Sequence, residues 1–360
     1  MGQRIRRRRR ELDLTQAELA GPEYTKSFIS QLEGGYADPS LDTLRFLGRR
    51  LHMSLSTMAG DASDQHLATL EGLLAWAQEA MRTRRLDAAR RAVTLALEVA
   101  RQAGADLQTA EASLLLADLD LASGDEDGAA DAIRAAEAIA ARFGLRLQTR
   151  AALASGRLAL HRRDLPTAAA IFRQTLGRVR KAARHPDLAA QAYLGLASTA
   201  ILAGDLRQAR RRLRSAVRIA ERSRLEALRV RALVRLALAC RLDGSADEAL
   251  EHLRAAHAAI AGDSDCQARF EVEASLGTLL LERGAAREAI EPLRRALALS
   301  RQGGDQQAER ETLLALGRAA QAAGDSGLAA QAASEAASLT ATGAPGEVTP
   351  GGTWPVNLLA

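Results

Sequence analysis

The chain has 360 residues, enough for more than one domain, with 47% hydrophobic residues, only 3% aromatic residues and 8 prolines. This balance, dominated by Ala, Leu and Arg, favours helix and excludes a β-rich fold, whose pleated surfaces need aromatic and β-branched side chains. The formal net charge of +5 permits nucleic-acid binding without requiring it.

Lysine occurs only at Lys26 and Lys181 and asparagine only at Asn357, so arginine is the default cation and a single arginine says little about function. Cys240 and Cys266 show no metal-ligand spacing, which points to a reducing, cytoplasmic compartment. The start, MGQRIRRRRREL, is basic, but no apolar run follows it, so a secretory signal is not expected. Charge interrupts every apolar stretch before the ~18 residues a membrane span needs.

The first predicted helix covers residues 3–12. The second starts at Thr15, whose side chain and Glu18 three residues on have the spacing of a capping box, and Gly21-Pro22 stop it. The third starts at Thr25, another N-cap, and ends near Glu33 and Gly34. Pro39 and Ser40 open a fourth, SLDTLRFLGRRL, with Asp42 in its first turn, and a short fifth follows Ser54. The apolar set Ile5, Leu12, Leu14, Leu19, Ala20, Ile29, Leu32, Leu41, Leu44, Leu47 and Leu51 suits one small core, with Ala20 letting the second and third helices cross closely.

The segments LTQAELA, FISQLEGG and PSLDTL together resemble the Cro/lambda-repressor type of helix-turn-helix family, also called XRE, over about residues 3–60. The turn Gly21-Pro22-Glu23-Tyr24 departs from that pattern, which has one more residue and a central Gly. The resemblance implies that the third helix enters the major groove of double-stranded DNA, with Lys26, Ser27, Ser30 and Gln31 facing base edges. Thr15, Gln16, Thr25, Tyr36 and Ser40 would meet phosphates. The arginines at 6–10 cannot all share one helix face, so some must point to solvent or to the neighbouring domain; phosphate neutralisation is the functional reading and a solvated basic face the other.

From residue 68 onward the chain repeats itself about every 40 residues. Ala89, Ala129, Ala168, Ala209, Ala249, Ala289 and Ala329 mark one small position. Ala96, Ala136, Thr175, Ala216, Ala256, Ala296 and Ala336 follow it seven residues later, and Ala77, Ala117, Gly156, Ala197, Ala237, Gly277 and Gly317 precede it by twelve. Val93, Ile133, Phe172, Leu213, Leu253 and Leu293 hold a large position, with Ala333 as the exception. Small residues let antiparallel helices approach, and the large residue fills the space between pairs. Turns at Gly124-Asp125, Asp164, Gly204-Asp205, Gly244, Gly284 and Gly324-Asp325 separate the two helices of each pair.

This pattern resembles the tetratricopeptide repeat family, with longer helices than usual. The expected organisation is all-α: a DNA-binding module over 1–62, about seven repeats of a right-handed helical-hairpin solenoid over 63–342, and a tail over 343–360. Trp354, Leu358 and Leu359 in that tail would dock on the last repeat or on a partner. In the repeat family the first helix of each pair lines a concave face. Matching positions place Arg150, Arg157, Gln191, Arg231 and Arg241 there as a basic mid-groove suited to a carboxylate, a phosphate or an acidic peptide.

No catalytic constellation, phosphate-binding loop or histidine pair of metal-ligand spacing stands out, so neither an enzyme nor a cofactor is expected. The layout is similar to peptide-sensing regulators that join an XRE module to tetratricopeptide repeats. That resemblance implies a homodimeric transcription regulator whose array dimerises, senses a peptide or small effector, or both. Those regulators commonly hold peptide backbones through groove asparagines, which these repeats lack; Gln191 and the arginines would take that part. A DNA-tethered docking scaffold without a small ligand is the other reading.

Overall fold

The computed structural model describes residues 2–37, 39, 41–53, 63–83, 85–182, 185–260 and 266–340, and every regular element among them is an α-helix. Ser40, the helix expected after Ser54, and the tail residues Trp354, Leu358 and Leu359 lie outside the described residues, as do the side chains of Leu41 and Asp42. No described helix is long and apolar enough to cross a membrane.

Among the described residues four short helices come first: α1 (Gly2–Glu11), α2 (Gln16–Ala20), α3 (Lys26–Glu33) and α4 (Leu41–Leu51). Fourteen long ones follow: α5 (Ser63–Arg82), α6 (Leu86–Gln102), α7 (Asp106–Ala122), α8 (Glu126–Ala140), α9 (Leu145–His161), α10 (Leu165–Ala182), α11 (Pro186–Leu202), α12 (Leu206–Arg222), α13 (Glu226–Leu242), α14 (Ala246–Ile260), α15 (Cys266–Glu282), α16 (Ala286–Gly303), α17 (Gln306–Ala323) and α18 (Ser326–Thr340). The chain divides into two compact units, Met1–Ala77 with Arg90–Ala154, and Gln78–Ala89 with Ser155–Ala360.

In the first unit, α1–α4 enclose Ile5, Leu19, Ala20, Ile29, Leu32, Leu47 and Leu51. Leu12 and Leu44 are only partly buried against this core, and Tyr24, Phe28, Phe46 and Met53 join them there. One buried ion pair crosses the bundle. Arg9 donates to both carboxylate oxygens of Glu33, at 2.5 and 2.9 Å, and a further 2.8 Å hydrogen bond reaches the Leu14 carbonyl. Gln16 donates to the same carboxylate at 3.0 Å.

In the second unit, α11–α18 pack as antiparallel pairs, and each pair contacts the next. The small positions are where helices touch. Ala168, Ala209, Ala249 and Ala289 are fully buried, as are Ala197 and Ala237. The large position needs its small neighbours: a methyl group added to Gly156 or to Gly195 would lie 2.5 Å from the Phe172 ring, and one on Gly277 would lie 2.5 Å from Leu293. The exceptional Ala333 is exposed.

Turns follow one design. Gly204, Gly244 and Gly284 all take φ near 78°, the left-handed region that closes a helix C-terminus without a Cβ clash. Arg163 takes the same role at φ 58° in the pair α9–α10. The aspartates that follow cap the next helix: Asp164 accepts from Thr167 N–H at 3.1 Å, and Asp205 from Gln208 N–H at 2.9 Å.

Gly156→Ala forces a shift against Phe172 and lowers stability by about 1–3 kcal/mol, and Phe172→Leu in the same chain recovers part of that loss, read by thermal melts of the four variants. In the head, burial alone would raise the Glu33 pKa. The hydrogen bonds from Arg9 and Gln16, with the charges of Arg9 and Arg6, outweigh it and hold the group below the usual glutamate range. A depressed pKa contributes stability that is complete above the unfolded value of about 4.3 and is lost as pH falls through the lower folded value. Amide exchange at Ile29 and Leu32 should therefore accelerate below about pH 4. Glu33→Gln, which leaves Arg9 buried without a counter-charge, should accelerate it at neutral pH, by about 3 kcal/mol of opening free energy.

Candidate functional site

The α2–α3 unit is built from local signals. The Thr15 hydroxyl accepts from the Glu18 N–H at 3.1 Å while the Thr15 N–H donates to the Glu18 carboxylate at 2.6 Å, completing the capping box. Gly21, at φ 60°, ends α2, and Arg50 reaches from α4 to donate to the Glu18 carbonyl at 2.6 Å. Thr25 caps α3 by accepting from Phe28 N–H at 3.2 Å.

The short turn is pinned by Tyr24, a residue that pattern reading passed over. Its ring stacks on Phe28 at 5.2 Å between centroids and tilts against Phe46 at 5.1 Å, and its hydroxyl donates to Thr43 at 3.1 Å. An aromatic one residue before the N-cap of α3 was the available signal.

Along α3, Ile29 and Leu32 point into the core, and Lys26, Ser27, Ser30 and Gln31 are all exposed. The 3.6-residue period that buries one pair presents the other four to solvent as a compact polar surface with a cation at its N-terminal end. Thr15 and Thr25 are exposed, with their hydroxyls engaged as caps. Tyr36 is 88% exposed. Gln16 differs from its expected outward role, because its amide is turned onto Glu33.

The arginines at 6–10 divide by helical position. Arg9 is buried on Glu33. Arg8 donates to the Leu51 carbonyl at 2.9 Å and to Glu11 at 3.1 Å, and its guanidinium lies 4.2 Å over the Phe143 ring. Arg7 pairs with Glu11 at 3.3 Å and with Glu71 of α5. Arg6 and Arg10 are exposed. Much of the run therefore builds the helix-turn-helix bundle and seats it on the neighbouring repeats of the first unit, one of the directions expected for arginines that cannot share a face.

That seat lies within the first unit. Asp13, at φ 57°, accepts from the Arg146 N–H at 2.8 Å, so a head carboxylate sits at the N-terminus of α9. A methyl group on Gly144 would lie 2.6 Å from the Leu12 backbone, so only glycine admits this approach.

Among the groove candidates, Arg150 pairs with Glu111 at 2.8 Å in the first unit. In the second unit Arg241 binds Glu282 through two hydrogen bonds of 2.7 Å. Both partners lie about one repeat away along the chain, so these two arginines join successive hairpins. Arg157 and Gln191 are half-buried and Arg231 is exposed.

Arg235, which spacing did not single out, forms the centre of the remaining cluster. It lies one turn beyond Arg231 on α13. Burial first, then the charge of Arg231, push its pKa down to about 10; Glu271 acts against them, and Arg157 adds a further repulsion. Arg231 and Arg157 thus both act on Arg235 within the second unit, and Glu271 opposes them.

No protein-family profile matches the chain, and no curated protein matches it. Solved structures do. A Rap protein complexed with competence and sporulation factor is 12% identical with a TM-score of 0.58, covering 94% of this chain and 88% of that one. The apo form of the quorum sensor NprR from B. thuringiensis is 10% identical, with a TM-score of 0.53 over 79% of this chain and 78% of that one. A signal-transduction ATPase with a tetratricopeptide repeat sensor from Pyrococcus horikoshii is 12% identical, with a TM-score of 0.53 over 91% of this chain and 46% of that one. At these identities the likeness establishes the fold: the long helices form an all-α, tetratricopeptide-like stack of hairpins.

Proposed function

We propose that this chain is a sequence-specific DNA-binding transcription regulator whose repeat groove receives an anionic effector. The module over 1–62 reads DNA and the array over 63–342 senses. The observation that carries this reading is the exposed set Lys26, Ser27, Ser30 and Gln31 on one face of α3, opposite buried Ile29 and Leu32. Lysine donates to guanine O6 and N7, and glutamine pairs with adenine N6 and N7. In this XRE-like helix-turn-helix, the Arg9–Glu33–Gln16 network sets the orientation of α3, and Thr15, Thr25 and Tyr36 approach phosphates. One module reads a half-site, so the working form is a homodimer.

The groove reading rests on Arg157, Arg231 and Arg235. Arg231 and Arg157 repel the buried charge of Arg235, and an anion beside them offsets that repulsion while accepting charge-assisted hydrogen bonds. A peptide carboxylate or acidic side chain has that chemistry, and Gln191 offers an amide for a peptide backbone. The Rap structure holds a competence and sporulation factor on a similar fold; the argument for this chain stands on its own arginines. The seat of the helix-turn-helix on Phe143, Gly144 and Arg146 joins the DNA-reading helices to repeats of the first unit. On this reading the protein acts in the cytoplasm by binding rather than by catalysis.

Sheared genomic DNA selected on the purified chain at near-physiological salt should yield an inverted-repeat motif. Lys26→Ala/Gln31→Ala should weaken specific binding by about 1–3 kcal/mol per contact and leave non-specific binding nearly unchanged; an unaltered motif preference overturns the assignment. For the groove, inorganic phosphate should raise the melting temperature above that in chloride of equal ionic strength. Arg157→Gln/Arg231→Gln should abolish the difference, and its persistence removes the cluster as the anion site.

A further inference from the structure

A separate group of side chains lies at the turn of the α13–α14 hairpin. Cys240 stands in the last turn of α13, and the loop Asp243-Gly244-Ser245 folds α14 back so that Glu248 and His252 face it. The spacing of four places Glu248 and His252 on one face of α14. One ligand atom from each of the three lies within 4.8 Å of those of the other two. The Cys240 thiol donates to the Glu248 carboxylate across 3.6 Å.

We propose that Cys240, Glu248 and His252 form a binding site for a thiophilic divalent transition-metal ion, with zinc as the best fit. Sulfur, imidazole and carboxylate together are the donor set of a tetrahedral zinc site. With zinc bonds of about 2.0–2.3 Å, the edges of such a tetrahedron are about 3.4–3.8 Å. The Sγ–Oε2 separation already has that length, and the remaining separations need to close by up to about 1.4 Å.

The electrostatics agree. Burial, only partly offset by Arg210, pushes the Cys240 thiol up to about 11, so it keeps its proton while no cation is present. Burial also holds His252 below the ordinary histidine range, leaving a neutral ring with a lone pair to donate at pH 7. The cation replaces the thiol proton, which passes to water. Thiolate and carboxylate then neutralise the two positive charges of the ion. Arg210 pairs with the same Glu248 Oε2 that accepts from Cys240 and, at 2.6 Å, with Asp243, so it holds the carboxylate in place and leaves Oε1 as a second donor available to the ion. Arg210 and Arg214 also favour the thiolate that the ion requires. Cys240 is fully buried, but His252 is half-buried and Glu248 exposed, so an ion enters from the α14 side, where a fourth position is left for water or an incoming ligand.

Cobalt titrated into the full-length, chelator-treated protein should give a thiolate-to-cobalt charge-transfer band with the visible bands of a tetrahedral ion, saturating at one equivalent. Cys240→Ser should abolish the charge-transfer band, and Cys266→Ser should leave it intact. Because Cys240 is a core residue, His252→Ala supplies a milder test: with an unchanged melting curve it should weaken cobalt binding about ten-fold or more. Absence of the band in the unaltered protein overturns the proposal. So does a band that survives Cys240→Ser, or an affinity unchanged by His252→Ala.

Discussion

The close approach of helix backbones at small residues is the constraint on which this protein depends. Alanine or glycine recurs about every 40 residues where helices touch, and a large side chain fills the remaining space. Phe172 shows how tight this is, since it occupies the volume where both Gly156 and Gly195 would otherwise carry a methyl group. Dense packing of this kind is met by small and apolar residues alone and leaves charged residues to the outer faces of the helices. Those faces are where an arginine-rich chain distributes its charge.

The arginines show how one residue type is sorted by its surroundings. Arg9 is buried and paired, and acts as part of the head's core. Arg150 and Arg241 bridge to acids about one repeat away, because the 40-residue period brings those positions side by side. Arg235 is buried, and the charges of Arg231 and Arg157 act with that burial to lower its pKa while Glu271 opposes them. Arg8 combines an ion pair, a backbone hydrogen bond and an aromatic stack. Their helical register and neighbours separate these roles, and composition alone does not.

Much of the local structure was legible in the sequence because its causes are local. The capping box at Thr15, the N-cap at Thr25, the left-handed glycines and the aspartate caps depend on residues within a few positions of one another, and all formed as their spacing predicts. The alternation of small and large positions was readable for the same reason, since a periodic fold writes its packing into the period. The short turn before α3 was harder to read. Its geometry is held by Tyr24 against Phe46 and Thr43, which come from an element some twenty residues away.

The sequence by itself determined the all-α class, the hairpin period and the polar set Lys26, Ser27, Ser30 and Gln31 on one helix face, because each follows from short-range periodicity. Only the tertiary structure decided which charges meet. It turned Gln16 inward onto Glu33, paired Arg150 and Arg241, gathered Arg235 with Arg231 and Arg157, and brought Cys240 to Glu248 and His252. The reason is physical: electrostatic and coordination partners are set by distance in space across a turn or a repeat, and that distance depends on how closely the small residues let the helices pack.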